Sequence, residues 1–145
     1  ERAFVFASTR DVPANVTFRR EPSSALVSRG ERFDLVLSNH VLHHLGPDDL
    51  AAVVSDSAAL ARRLVVHNDI ERGRLAYAGY QVGITPLAPG SFLRTDGLRS
   101  IRRSYTAPEL ARVLPAGWRV ERQPPFRLLA LYESPGDAES GTGGP

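Results

Sequence analysis

Hydrophobic and polar positions divide this chain into short segments of contrasting period. Phe33 to Ser38 (FDLVLS) is nearly all apolar, the pattern of a parallel strand buried on both faces. From Pro47 to Arg63 the residues Leu50, Val53, Val54, Ser57, Ala58 and Ala61 recur at helical spacing. Pro47 suits the first helical position, and Asp48 and Asp49 meet the positive end of the helix. Arg62 and Arg63 would close the last turn with the favourable charge. Leu64 to His67 (LVVH) follows at once as a second buried strand. Strand, helix, strand in this order predicts a right-handed parallel crossover, so residues 33–67 read as one βαβ unit.

The flanking segments are less regular. Residues 1–10 (ERAFVFASTR) read as the tail of a helix, broken by Asp11-Val12-Pro13-Ala14. Asn15 to Arg20 is a short strand candidate. Glu21 to Gly30 is a polar connection with at most a short helical turn. Residues 70–105 are rich in Gly, Pro, Arg and aromatics, and a stretch of that length inside a small domain is usually a lid or substrate loop. Thr106 to Leu114 is a short helix with capping-box spacing from Thr106 to Glu109, stopped by Pro115 and Gly117. Trp118 to Gln123 and Arg127 to Glu133 are strands. Gln123-Pro124-Pro125-Phe126 joins them too tightly for a crossover, which predicts an antiparallel pair. The domain then covers residues 1–134, with a Gly/Ser/Pro tail over 135–145 expected to be disordered.

Composition narrows the chemistry. The 145 residues give room for one domain, and 42% hydrophobic with 23% charged residues is a globular balance. The net charge is +2, so nothing draws the whole chain to nucleic acid. There is no Cys, which removes disulfides and thiolate metal sites. All 18 basic residues are Arg, which removes Lys nucleophiles, Schiff bases and P-loop lysines. No apolar run approaches a membrane span and no signal peptide is visible, so a cytoplasmic protein without a membrane partner is expected. Met is absent and residue 1 is Glu. The chain is expected to be processed or to be a fragment of a longer one.

In an open parallel sheet, ligands sit beyond the carboxyl ends of the strands. That rule selects Glu21, Ser38-Asn39-His40 and His67-Asn68-Asp69. His40, His43 and His44 carry metal-ligand atoms, but H-x-x-H-H lacks the Glu of H-E-x-x-H, and no metal is expected. His43 and His44 read as capping or packing residues at the start of the next helix. His40 is a candidate general base, because an imidazole titrates near neutrality. His67 reads either as a satisfied core histidine or as a catalytic one. Asp69 either orients His67 or caps the segment from Ile70, with the cap favoured. Arg94, Arg99, Arg102 and Arg103, with Phe92 and Tyr105, form either a solvated loop or an anion clamp, with nucleic acid the least favoured partner. Tyr77 and Tyr80 either wall a pocket or anchor the core.

Phe33 to Leu45, FDLVLSNHVLHHL, resembles the fourth-strand signature of class I S-adenosylmethionine-dependent methyltransferases. The resemblance is strongest to the small-molecule enzymes of the type 11, 12 and 25 kind, whose pattern reads FDxVxxxxxLHHL. It implies an α/β fold, the Rossmann-like methyltransferase fold, with a mostly parallel sheet and an antiparallel C-terminal strand pair. This chain would be the C-terminal part of that domain, the N-terminal strands and the glycine-rich loop lying outside it. Glu21, twelve residues before Phe33, would then accept a hydrogen bond from the adenine amino group. Ser38 and Asn39 would line the methionine end of S-adenosyl-L-methionine, largely through backbone atoms. His40 would face the transferred methyl, and His40 or His67 would serve as catalytic base. Pro22 stands where the family often donates a backbone N–H, so that contact must come from Ser23 or be missing.

The implied activity is S-adenosylmethionine-dependent methyl transfer to a small-molecule acceptor. No N-P-P-[YF] sequence follows the Phe33 strand, which favours a hydroxyl acceptor. The alternative is an inactive half-domain, or a Rossmann-like module that only binds a partner. That alternative predicts an exposed apolar edge on the Phe33 strand, open to homodimer formation. A nucleotide-dependent oxidoreductase is a distant third, because it too needs the glycine loop.

Overall fold

The computed structural model describes residues 13–73 and 103–135. The expected helix tail over 1–10, most of the 70–105 loop with Tyr77, Tyr80, Phe92, Arg94, Arg99 and Arg102, and nearly all of the 135–145 tail lie outside these residues.

The architecture is α/β with a mixed sheet. In chain order the elements are α1 (Ser23–Ser28), β1 (Phe33–Asn39), a 3₁₀ turn (Leu42–His44), α2 (Pro47–Leu60), β2 (Ala61–Ile70), α3 (Ala107–Val113), β3 (Trp118–Gln123) and β4 (Arg127–Glu133). The sheet order is β1-β2-β4-β3. β1 and β2 are parallel, with Leu35 opposite Leu64 and Ser38 opposite His67. β4 runs antiparallel to both β2 and β3. The expected βαβ unit and the expected terminal hairpin are therefore both present, and β4 joins them by pairing with β2.

α2 forms for the reasons the sequence suggests. Pro47 opens it, Asp48 and Asp49 occupy its first turn, and Leu50, Val54 and Ser57 lie buried on one face. It ends three residues earlier than the spacing predicts. Ala61 to Arg63 belong to β2, because Ala61 already pairs with Phe33 of β1 and is fully buried. Arg62 and Arg63 therefore sit on a strand and complete no helical turn. α3 begins as expected, with Thr106 at its N-cap and the Thr106 N–H donated to Glu109 Oε2 at 2.9 Å. Gly117 turns the chain into β3 at φ 89°, a backbone conformation that strains any other residue.

Two expectations need correction. Residues 15–20 form no strand; Val16 and Phe18 are exposed, and no described strand is placed to pair with them. β1 is not buried on both faces. Phe33, Leu35 and Leu37 are 38%, 49% and 61% exposed. Among the described residues β1 is an edge strand, since β2 is its sole partner.

The core lies on the other face of the sheet. Leu42, Leu50, Val54, Leu110, Leu128 and Ala130 form one buried cluster, with Tyr105, Trp118 and Val120 packed against it. The 3₁₀ turn, α2 and α3 all bury their apolar side chains here. This fixes the carboxyl ends of β1 and β2 against the residues that follow them.

Candidate functional site

Strand alternation places Ser38 of β1 and His67 and Asp69 of β2 on the same, covered face of the sheet. Ser38 Oγ and His67 Nδ1 are hydrogen-bonded at 2.7 Å. The His67 ring stacks on Trp118, with centroids 5.4 Å apart and planes 6° from parallel. His67 is 1% exposed. Burial holds its pKa down to about 4, with Asp69 pulling the other way. The ring is therefore neutral at pH 7.

Asn39 and Asn68 meet on the opposite face, where Asn68 Nδ2 donates to Asn39 Oδ1 at 2.5 Å. The next residue, His40, leaves the strand in the left-handed region at φ 56°. Its N–H donates to the Asn68 carbonyl at 2.8 Å, which holds the bend. A non-glycine residue in that region is uncommon, and such strain is concentrated at functional turns. The His40 side chain is exposed.

Asp69 caps no helix. It lies in β2 and reaches the 3₁₀ turn, accepting the His43 backbone N–H on Oδ2 at 2.9 Å. Its Oδ1 lies 2.6 Å from His43 Nδ1 and 2.7 Å from the Ile70 N–H. Two backbone donors already aim at this carboxylate, which makes it the acceptor and places the ring proton of His43 on Nδ1. His43 is 6% exposed, and its ring lies 4.0 Å from that of the exposed His44. The Nε2 atoms of both His43 and His67 are buried without a hydrogen-bond partner.

The sequence pattern marks His43 as a capping or packing residue and does not pair it with Asp69. The two are 26 positions apart, and the contact exists because the turn after β1 folds back over the end of β2. The signal present was the repeated placing of polar residues after both strands.

Glu21 lies apart from this cluster. It bonds Arg19 at 2.5 Å and Arg29 at 2.6 Å, and Glu31 bonds the same two arginines. This network holds the Glu31 carboxyl down to about 2, chiefly through the Arg19 hydrogen bond. Arg103 is the one member of the expected arginine group among the described residues. It lines a groove of about 370 Å³ with Arg72, Tyr105, Glu109 and Arg112, in which Arg72 pairs with Glu109. No group of three His, Asp or Glu residues among the described residues is placed to hold a metal. No described helix is long and apolar enough to cross a membrane.

The chain matches no protein-family model, and no curated protein matches it. Among solved structures it is similar to magnesium protoporphyrin IX methyltransferase (ChlM) from Synechocystis PCC 6803, crystallised with bound SAH, at 20% identity and a TM-score of 0.38. That alignment covers 75% of this chain and 48% of the other, so the chain spans about half the length of the protein it matches.

Proposed function

We propose that this chain belongs to a class I methyltransferase that moves a methyl group from S-adenosylmethionine to a hydroxyl of a small molecule. The observation that carries the reading is the turn after β1. The stretch that resembles the methyltransferase signature folds as a strand ending at the sheet's carboxyl edge, with His40 held in the left-handed region by the Asn68 carbonyl. This is the edge at which an open α/β sheet binds ligands.

The polar groups at this edge support the cofactor reading. The bend at His40 leaves Asn39 and His40 exposed at the end of β1, and Ser38 leads into it. Ser38 and Asn39 would line the methionine end, and His40 would face the methyl. The Glu21 carboxylate retains accepting capacity beside its two arginines and would take the adenine amino group. S-adenosylmethionine supplies an electrophilic methyl on a sulfonium. The chain's contribution is orientation and proximity, which carry much of the barrier in such displacements. His40 and His67 are the base candidates. His67, buried and neutral, is better suited to holding Ser38 than to taking a proton.

Calorimetric titration of S-adenosylmethionine into the full protein tests this reading. Saturable binding is expected, weakened by His40→Pro, which removes the N–H that holds the bend and cannot adopt its left-handed φ. Absence of binding overturns it. The exposed Leu35 and Leu37 on β1 favour a second reading, a module that pairs with a partner along this strand.

A further inference from the structure

On the described surface several arginines are matched by carboxylates. Arg19 and Arg29 share Glu21 and Glu31, Arg62 faces Asp34, Arg119 faces Glu121 and Glu133, and Arg122 faces Glu71. The groove of about 370 Å³ beside α3 is different. Of the three arginines that line it, Arg72 has a carboxylate, Glu109, which also accepts the Thr106 N–H. Arg103 and Arg112 are exposed and have no carboxylate partner among the described residues, which leaves two uncompensated positive charges in the groove. Its volume is that of a small-molecule site. Tyr105, packed against the core, and Val113 give it apolar walls. A planar guanidinium presents paired N–H donors that match a carboxylate or a phosphate. The groove also lies at the ligand edge of the sheet. The Arg72 N–H donates to the Tyr105 carbonyl at 2.9 Å, which ties this wall to the chain just past the carboxyl end of β2. Arg72 follows Asn68, whose carbonyl holds the His40 turn, by four residues, a span of at most about 14 Å.

We propose that Arg103 and Arg112 bind an oxyanion, a carboxylate or a phosphate, on the molecule that accepts the methyl group. This rests on the methyl-transfer reading. The acceptor is then a small molecule with a hydroxyl at one end and an oxyanion at the other, joined by an apolar body. Tyr105 and Val113 contact that body, the guanidinium groups hold the oxyanion, and the hydroxyl is directed toward the His40 turn. Glu109 keeps Arg72 engaged and, as a fixed negative charge in the same groove, limits the site to one anionic group.

The probes are benzoate and phenyl phosphate, each an oxyanion on an apolar ring. Each is titrated into the full protein, with and without S-adenosylhomocysteine, and followed by the Nε–Hε NMR signals of the arginines. Calorimetry with S-adenosylmethionine runs alongside. Expected are saturable shifts of the Arg103 and Arg112 signals, with an affinity that S-adenosylhomocysteine does not lower. The tighter probe identifies the head group as carboxylate or phosphate. Arg103→Gln and Arg112→Gln, both at exposed positions, should each weaken probe binding about tenfold. Arg63→Gln removes the same charge at the other end of β2 and should leave binding unchanged. Shifts that do not saturate, or that are shared by all the arginines, overturn the inference. So does an equal loss in Arg63→Gln, which would make net charge the cause. Displacement of the probes by S-adenosylhomocysteine overturns it as well, because the groove would then hold the carboxylate of the cofactor. Cofactor binding without probe binding overturns this inference alone. Probe binding without cofactor binding overturns the methyl-transfer reading and, with it, the assignment of the anion to a methyl acceptor.

Discussion

Ser38 and His67, which are directly opposite one another in the parallel β1–β2 ladder, are hydrogen-bonded at 2.7 Å. The Trp118 ring stacks on His67, and burial keeps the imidazole neutral. The native pKa of about 4 is below the ordinary 6.5, so between these values the unfolded chain binds a proton that the native chain does not. Stability contributed by neutral His67 is fully present above pH 6.5 and is lost as pH falls toward 4. The expected loss is about 3 kcal/mol across that window, read from urea unfolding at a series of pH values. In His67→Gln this part of the slope should vanish. An equally steep slope in the variant would assign it to other groups.

Asp69 accepts three hydrogen bonds in a buried setting, and two of them come from the 3₁₀ turn. Asp69→Ala leaves those donors buried and unpaired. We expect a loss of about 3 kcal/mol, seen as a lower denaturation midpoint in urea. A loss below about 1 kcal/mol would mean that water reaches these groups in the native state.

Leu42 sits in the same turn and is fully buried at the centre of the core. Leu42→Ala should cost about 2–5 kcal/mol by differential scanning calorimetry, with most of the range set by how far α2 and α3 can close the cavity. A nearly neutral result would contradict the packing described.

Leu37 is the most exposed large apolar side chain on β1. Leu37→Arg places a charge on an unpaired edge, the usual defence against strand addition. Sedimentation velocity should show less self-association than in the unaltered chain, with stability within about 0.5 kcal/mol. If the unaltered chain is monomeric at all concentrations, the partner-binding reading of this edge loses its support.

Local rules determined most of the elements. Pro47 with Asp48 and Asp49 starts α2, Thr106 and Glu109 start α3, and the tight Pro124-Pro125 connection makes an antiparallel hairpin. Each involves neighbours in the chain, whose geometry depends little on the rest of the molecule. The end of α2 was not legible in this way. Ala61 is as compatible with a helix as with a strand, and pairing with Phe33 decides for the strand.

The sequence also placed Ser38, Asn39, His40 and His67 at one edge, because the carboxyl ends of parallel strands lie together whatever the side chains are. Only tertiary structure decided what they do there. Burial separates neutral His67 from exposed His40, and the return of the turn over β2 brings His43 onto Asp69. Such contacts depend on the fold bringing distant residues to within 3 Å of each other. No spacing along the chain encodes that, and the pairing of a carboxylate with one imidazole rather than another rests on it.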